Sequence, residues 1–204
     1  MVNDFNDYKI ILASNSPRRK ELLAGLGISF EVRVLQDIDE SYPEGMAAVE
    51  TAEYIAGKKA AAYRETIGRG ELVITADTVV IVDDEVLGKP ADAAEAREML
   101  LKLSGRTHQV VTGVCLTTQE ESVHFSVKTD VTFKQLTDDE ISFYIQKYQP
   151  FDKAGAYGIQ EWIGYIGCTG LNGSYYNVMG LPVQRIYTEL QRFTRRRSPQ
   201  DYRP

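Results

Sequence analysis

The sequence predicts an α/β protein in which an elongated, mixed β-sheet is flanked by helices and a cleft separates two lobes. Three observations carry this reading. Strand-length β-branched runs alternate with helix-length segments, the pattern of a sheet covered by helices. Two helix starts are marked by capping patterns, Asp92-x-x-Glu95 and Thr137-x-x-Glu140. Two adjacent runs, 108–117 and 122–136, are joined by a turn at 119–121 and form a long hairpin, so the sheet cannot be wholly parallel. The chain has 204 residues, 43% hydrophobic and 25% charged, without internal repeat or low-complexity linker, which is enough to bury a core as one domain. We assign residues 1–193 to a single two-lobed domain and residues 194–204 to a basic tail.

In chain order, residues 8–13 form a short buried strand and 17–26 a helix ended by Gly27. A long Ala-rich helix spans 46–67, and a β-branched strand run spans 71–82. A short strand precedes the turn Leu87-Gly88-Lys89-Pro90, and a capped helix covers 92–103 before Gly105. After the hairpin, a helix capped by Thr137 runs to about Tyr148, ahead of Pro150. Residues 154–180, rich in Gly, Tyr and Asn, predict strands joined by tight turns. Pro182 opens a final helix to about Phe193.

Composition excludes several classes. Residues 1–7 carry neither a basic n-region nor an apolar h-region, and no apolar run approaches the ~18 residues of a membrane span, so a cytoplasmic protein without membrane association is expected. Cys115 and Cys168 fit no zinc or redox spacing, and His108 and His124, the two histidines, have no nucleophile elbow near them. The net charge of −6 divides into +3 on residues 193–204 and −9 on the rest. An acidic body is a poor duplex binder, so no nucleic-acid partner is expected, and the basic tail reads as a solvated end.

The chemistry-bearing residues begin at Ser14-Asn15-Ser16-Pro17-Arg18-Arg19. Ser16 takes the N-cap and Pro17 the first helical position, which puts two arginines in the first turn, where the helix dipole disfavours cations unless an anion shares the site. A phosphate would be such an anion; an ordinary capped helix with solvated arginines is the alternative. Lys59 falls on the apolar stripe Val49, Ala52, Ala56, Tyr63 and so either snorkels or reaches an anion, whereas Lys58 points elsewhere. Asp77 interrupts the run Val73 to Val82: it is paired, metal-bound or functional, or else it caps a bulge. Lys89 sits in a tight turn, ordinarily a surface position. Glu40 follows Asp37 and Asp39 in a loop that either binds a divalent ion or is solvated. Gln160 follows a glycine-spaced stretch where an amide can approach a base edge. Together the cations Arg18, Arg19, Lys59 and Lys89 and the carboxylates Asp77 and Glu40 match the needs of a metal-bound triphosphate, and the absence of GxxxxGK[ST] excludes P-loop chemistry.

These residues fall in segments that resemble the Maf family of nucleoside triphosphate pyrophosphatases. The matching segments, between about Ile10 and Leu190, are Ser14-x-Ser16-Pro17-Arg18-Arg19-x-Glu21-Leu22-Leu23, Ile38-Asp39-Glu40, Lys59-Ala60, Ala76-Asp77-Thr78-Val79, Gly88-Lys89-Pro90, Ser104-Gly105-x-Thr107-His108, the run from Asp152 to Gln160, and Gly180-Leu181-Pro182. The match is looser over residues 161–172, and the tail lies outside it. The resemblance implies a fold related to inosine triphosphate pyrophosphatases, a cytoplasmic location, a nucleoside triphosphate substrate and release of pyrophosphate with a divalent cation, Mg or Mn. It implies Asp77 as proton acceptor. Arg18, Thr78 and Gln160 match the dTTP/UTP branch, whereas the 7-methyl-GTP branch tends to carry Trp, Gln and Glu there. By charge, Arg18, Arg19, Lys59 and Lys89 then clamp phosphates, Ser14 lends a hydroxyl, Glu40 and Asp77 hold the metal, and Thr78 and Gln160 select the base. Competing readings are a broader pyrophosphatase for modified nucleotides and a non-catalytic nucleotide sensor in septum formation. A homodimer is compatible with the resemblance, and the sequence itself leaves the oligomeric state open.

Overall fold

The computed structural model describes Phe5 and residues 7–197; for 195–197 only the backbone is described. Its centre is one seven-stranded sheet in the order β2 (Phe30–Val32), β1 (Lys9–Leu12), β3 (Glu71–Val82), β5 (Thr107–Thr117), β6 (Ser122–Phe133) and β7 (Cys168–Asn172), with β4 (Glu85–Leu87) also on β3. β1 runs parallel to β2 and β3, and all other pairs are antiparallel. The sheet is therefore mixed, as expected.

Side-chain alternation along β3 explains the layers. Odd-numbered residues face α2 (Ala48–Tyr63): the Thr75 hydroxyl donates to the Ala56 carbonyl at 2.8 Å, and Val79 and Ile81 pack with Ala52. On the other face lie two separate cores. Leu72, Ile74 and Ala76 pack with α1 (Pro17–Ala24) and α7 (Val183–Arg197); Val80 and Val82 pack with α3 (Ala93–Leu103) and α4 (Asp138–Tyr148). Between the two cores β3 places Thr78, a polar residue on an otherwise apolar face.

Strand pairing shows where the lobes part. β1 pairs with β3 only as far as Leu12 opposite Ile74, and β4 takes up the same edge only from Leu87 opposite Val80. From Thr75 to Val79 that edge has no strand partner among the described residues, and Asp77 and Thr78 fall in the gap.

Several boundaries differ from the sequence reading. α1 stops at Ala24 rather than Leu26, and α2 spans 48–63 rather than 46–67, with Val49 of the supposed apolar stripe exposed at 46%. β2 was not anticipated. Asp92 caps α3 through Glu95 N, but the Glu95 side chain accepts from Ala91 N instead of closing the reciprocal box; at α4 the box with Thr137 and Glu140 is complete. Residues 154–180 are not a run of strands: they form a 3-10 turn at Ala154–Ala156, helices α5 (Trp162–Gly167) and α6 (Tyr175–Val178), and only β7 between them. Of the glycines there, Gly155, Gly173 and Gly180 do adopt positive φ, whereas Gly164 serves close packing, since a Cβ there would lie 1.8 Å from the Ile159 carbonyl oxygen. α7 continues past Phe193 to Arg197, so the first residues of the assigned tail are helical, and residues 198–204 of it lie outside the described residues.

Candidate active site

The unpaired stretch of β3 opens into a cavity of about 610 Å³. It is lined by all nine residues singled out from the sequence, Ser14, Arg18, Arg19, Glu40, Lys59, Asp77, Thr78, Lys89 and Gln160. Five cationic and four acidic side chains face it, so a chain of net charge −6 keeps an excess of positive charge here.

One wall comes from α1. Ser16 caps it, its Oγ accepting from Arg19 N at 3.4 Å, while Ser14 Oγ accepts from Ser16 N. The two arginines diverge. Arg18 Nη1 donates to Asp152 Oδ2 across the cleft at 3.0 Å, so the compensating anion in the first turn is a protein carboxylate. Arg19 is committed to protein oxygens: Nη1 donates to the Ala76 carbonyl, Nε to the Gly180 carbonyl and Nη2 to Thr78 Oγ1, at 2.9, 2.9 and 3.1 Å. The guanidinium thus satisfies a carbonyl on the unpaired edge of β3. Burial pulls its pKa down, partly offset by the Asp77 charge. Arg19 is a brace of the cleft as well as a charge in it, which its position beside Arg18 in the sequence did not reveal.

The opposite wall is α2. Lys59, on the inward face as expected, places Nζ 2.8 Å from Asp77 Oδ1 and 3.0 Å from Glu40 Oε1, while Lys58 turns away to Asp39 and Ser41. Asp77 is thus paired, and the strand needs no bulge to carry it. The glycine opposite Asp77 in the strand register, Gly113, lets α2 come down: a Cβ there would lie 2.3 Å from Ala52 C and Glu53 N.

The third wall is the segment after α4. Gly155 N donates to the Gly88 carbonyl at 3.0 Å, tying the turn that carries Lys89 to this segment, and Gly155 adopts φ +66 with Val80 where a Cβ would be. Lys153, only 7% exposed, is held between Asp152 at 2.7 Å and Glu161 at 3.1 Å. Burial raises the Asp152 pKa, but hydrogen bonds from Lys153 and Arg18 outweigh it and keep the carboxyl below its ordinary range. The Tyr144 hydroxyl donates to Glu161 Oε2 and accepts from Gly158 N; burial and the Glu161 carboxylate push its pKa up, so it stays a donor. Asp152, Lys153, Glu161 and Tyr144 were not singled out from the sequence. A lysine ahead of a glycine-rich run was the available signal, and its burial was not visible there. Gln160 stands on this bracket with its Oε1 buried and without a hydrogen-bond partner among the described residues. Lys89 is exposed on the rim and has no ion-pair partner among them.

Among the described residues no three His, Cys, Asp or Glu side chains cluster to hold a metal ion. Asp77 on β3 and Glu40 on the loop before α2 converge on Lys59 Nζ, and each retains one carboxylate oxygen without a partner among the described residues. Two carboxylates completed by substrate oxygens and water fit a hard divalent cation that arrives with a phosphate ligand.

A family model described as Maf-like protein matches residues 9–193. The chain belongs to that family. Within the Maf-like family it is 61% identical over 192 residues to a dTTP/UTP pyrophosphatase of Phocaeicola vulgatus, covering 94% of this chain and 100% of that protein. It is 58% identical over 193 residues to one of Parabacteroides distasonis (95% and 100% covered), and 47% identical over 190 residues to one of Flavobacterium psychrophilum (93% and 97%). The Ham1 protein of Staphylococcus aureus shares the fold at a TM-score of 0.52 and 18% identity, over 91% of this chain and 99% of that one. In this Maf-like chain the nine residues singled out from the sequence thus surround one cleft, at the interruption of the β3 edge.

Proposed function

We propose that the protein hydrolyses dTTP and UTP between the α and β phosphorus atoms, giving the nucleoside monophosphate and pyrophosphate. The observation that carries the reading is the gap in the β3 edge, which holds one carboxylate, Asp77, among cationic side chains in a cleft large enough for a nucleotide. The names of the relatives, at up to 61% identity over nearly the whole chain, support the substrate choice.

In this scheme Arg18, Lys59 and Lys89 take the phosphate oxygens, and Arg19 adds fixed charge while holding the β3 edge. Binding of the triphosphate would draw Arg18 from Asp152. Asp77 accepts a proton from the attacking water; the new bond forms at the α phosphorus, and the α–β bridging oxygen leaves with the bond electrons as pyrophosphate. Asp77 and Glu40 would hold a divalent ion, Mg or Mn, whose charge offsets that on the phosphate oxygens. Ser14 donates a hydroxyl, and Thr78 and Gln160 face the base. The activity reading carries with it a cytoplasmic location, where triphosphates are abundant.

Pyrophosphate release from dTTP, UTP, CTP, ATP, GTP and 7-methyl-GTP, with and without a chelator, tests the reading. Rapid, chelator-sensitive pyrophosphate release from dTTP and UTP is expected. Equal kcat/KM for dTTP and ATP would defeat the selectivity, release of orthophosphate would defeat the cleavage position, and full activity in excess chelator would remove the metal.

A further inference from the structure

A polar row crosses the face that separates the two cores. Thr78 on β3, Thr112 on β5 and Thr129 on β6 interrupt otherwise apolar positions, and Asn177 of α6 lies over them, fully buried. Asn177 Nδ2 donates to the Val110 carbonyl and to Thr129 Oγ1, and the backbone carbonyl of Asn177 takes Gly180 N. The Thr112 hydroxyl, 0% exposed, lies 3.1 Å from that Asn177 carbonyl and 3.0 Å from Thr78 Oγ1. Thr78 Oγ1 in turn accepts from Arg19 Nη2.

The direction of this chain can be worked out from its ends. A carbonyl cannot donate, and two acceptor oxygens 3.1 Å apart repel unless a proton lies between them, so Thr112 donates to Asn177. Its one proton spent, Thr112 can only accept from Thr78. A hydroxyl has one proton and two lone pairs. The Thr78 proton goes to Thr112 and one lone pair to Arg19, which leaves one lone pair and no donor.

We propose that Thr112 is a specificity-positioning residue: by taking the Thr78 proton it makes Thr78 an acceptor alone, matched to the N3–H of uracil and thymine and opposed to the lone pair on N3 of cytosine. The inference rests on the reading in which Thr78 faces the base, and it adds a residue that touches neither base nor phosphate. Without the Thr112 oxygen the Thr78 proton is free to turn into the cleft, and the penalty against cytosine falls. The buried Gln160 Oε1, without a partner among the described residues, is a second acceptor in the same cavity.

The ratio of UTP to CTP tests this, because UTP and CTP differ only at N3 and the 4-position and general damage lowers both alike. Thr112→Val, close to isosteric, should reduce the UTP/CTP ratio of kcat/KM by about fivefold, while Thr112→Ser, which restores the oxygen, stays within about twofold of the parent. Thr112→Ala replaces the valine variant should that one not fold. An unchanged ratio in the hydroxyl-free variant, or a serine variant that falls as far as valine, would overturn the proposal. Affinities for the α,β-methylene analogues of UTP and CTP give the same ratio without turnover. A parent protein that binds the two analogues in the expected ratio but releases no pyrophosphate would sink the activity reading and leave Thr112 standing; equal affinities in the parent would overturn the assignment of Thr112.

Discussion

Lys59 sits between Asp77 and Glu40 with both contacts at 3.0 Å or less, and this one side chain explains how a carboxylate is kept in a mostly buried strand. An Asp77→Asn change keeps shape and a hydrogen-bond acceptor for Lys59 but removes the charge and the basicity. The variant should fold and bind nucleotide while kcat falls by ~10²–10⁴; hydrolysis of dTTP within a few fold of the parent would make Asp77 structural. Lys89 is the opposite case. Exposed and without an ion pair or side-chain hydrogen bond among the described residues, it holds nothing in the fold together by charge, so Lys89→Ala should leave the melting temperature unchanged. The same change should raise KM for the triphosphate about tenfold, as expected for one charge-assisted contact. A melting temperature that drops with unaltered KM would assign Lys89 to the scaffold instead. At this scale the sequence was informative where the signal is local. Ser16, Pro17 and the inward phase of Lys59 follow from helix rules that need no tertiary knowledge, whereas the three protein acceptors of Arg19 come from β3 and the segment before α7 and leave no mark beside it.

Elements meet at the cleft through close approach of backbones, and Gly113 is the sharpest instance. It stands opposite Asp77 in the register, in the stretch where α2 lies on β5, and a Cβ there would meet two backbone atoms of α2 at 2.3 Å. Gly113→Ala must push α2 off the sheet, and with it Lys59, seven residues further along the same helix. Such overpacking typically costs ~1–3 kcal/mol. The expected outcome is a lowered melting temperature together with a larger loss of kcat/KM than Lys89→Ala produces; unchanged stability in a urea titration would show that α2 accommodates the methyl group and does not set the site. The sequence concealed this role because a lone glycine in a β-branched run reads only as a weak point in a strand. The same limit explains residues 154–180: glycine content predicted turns, but periodicity does not distinguish a glycine that bends the chain from one that lets backbone pack on backbone, and here Gly164 does the latter. Short helices such as α6, four residues long, carry no detectable period at all.

The whole molecule joins two cores through strands that run from one to the other, so the alternation of strands and helices was enough to anticipate a mixed α/β sheet and a cleft. The location of that cleft depended on where β1 stops and β4 begins along β3, and the first of these is a matter of register between segments more than 60 residues apart. One consequence of this construction can be followed by pH. His108, 1% exposed on β5, places Nε2 2.7 Å from the Tyr157 hydroxyl on the cleft wall, packs edge-on against Phe133, and has no partner for Nδ1 among the described residues. Burial lowers its pKa to about 4, so the folded protein holds it neutral. The unfolded chain protonates the same ring near 6.5. Between those values the unfolded state binds more protons, and stability falls as pH drops from about 6.5 to about 4, by at most ~3 kcal/mol for this group. Above 6.5 the contribution is constant. In His108→Gln that component vanishes, so the stability difference between parent and variant, from urea titrations at pH 7.5, 6, 5 and 4.5, should shrink steadily toward acid. A difference that stays flat over that range would mean that the ring takes up its proton at the same pH folded and unfolded, and that burial against the Tyr157 wall does not hold it neutral.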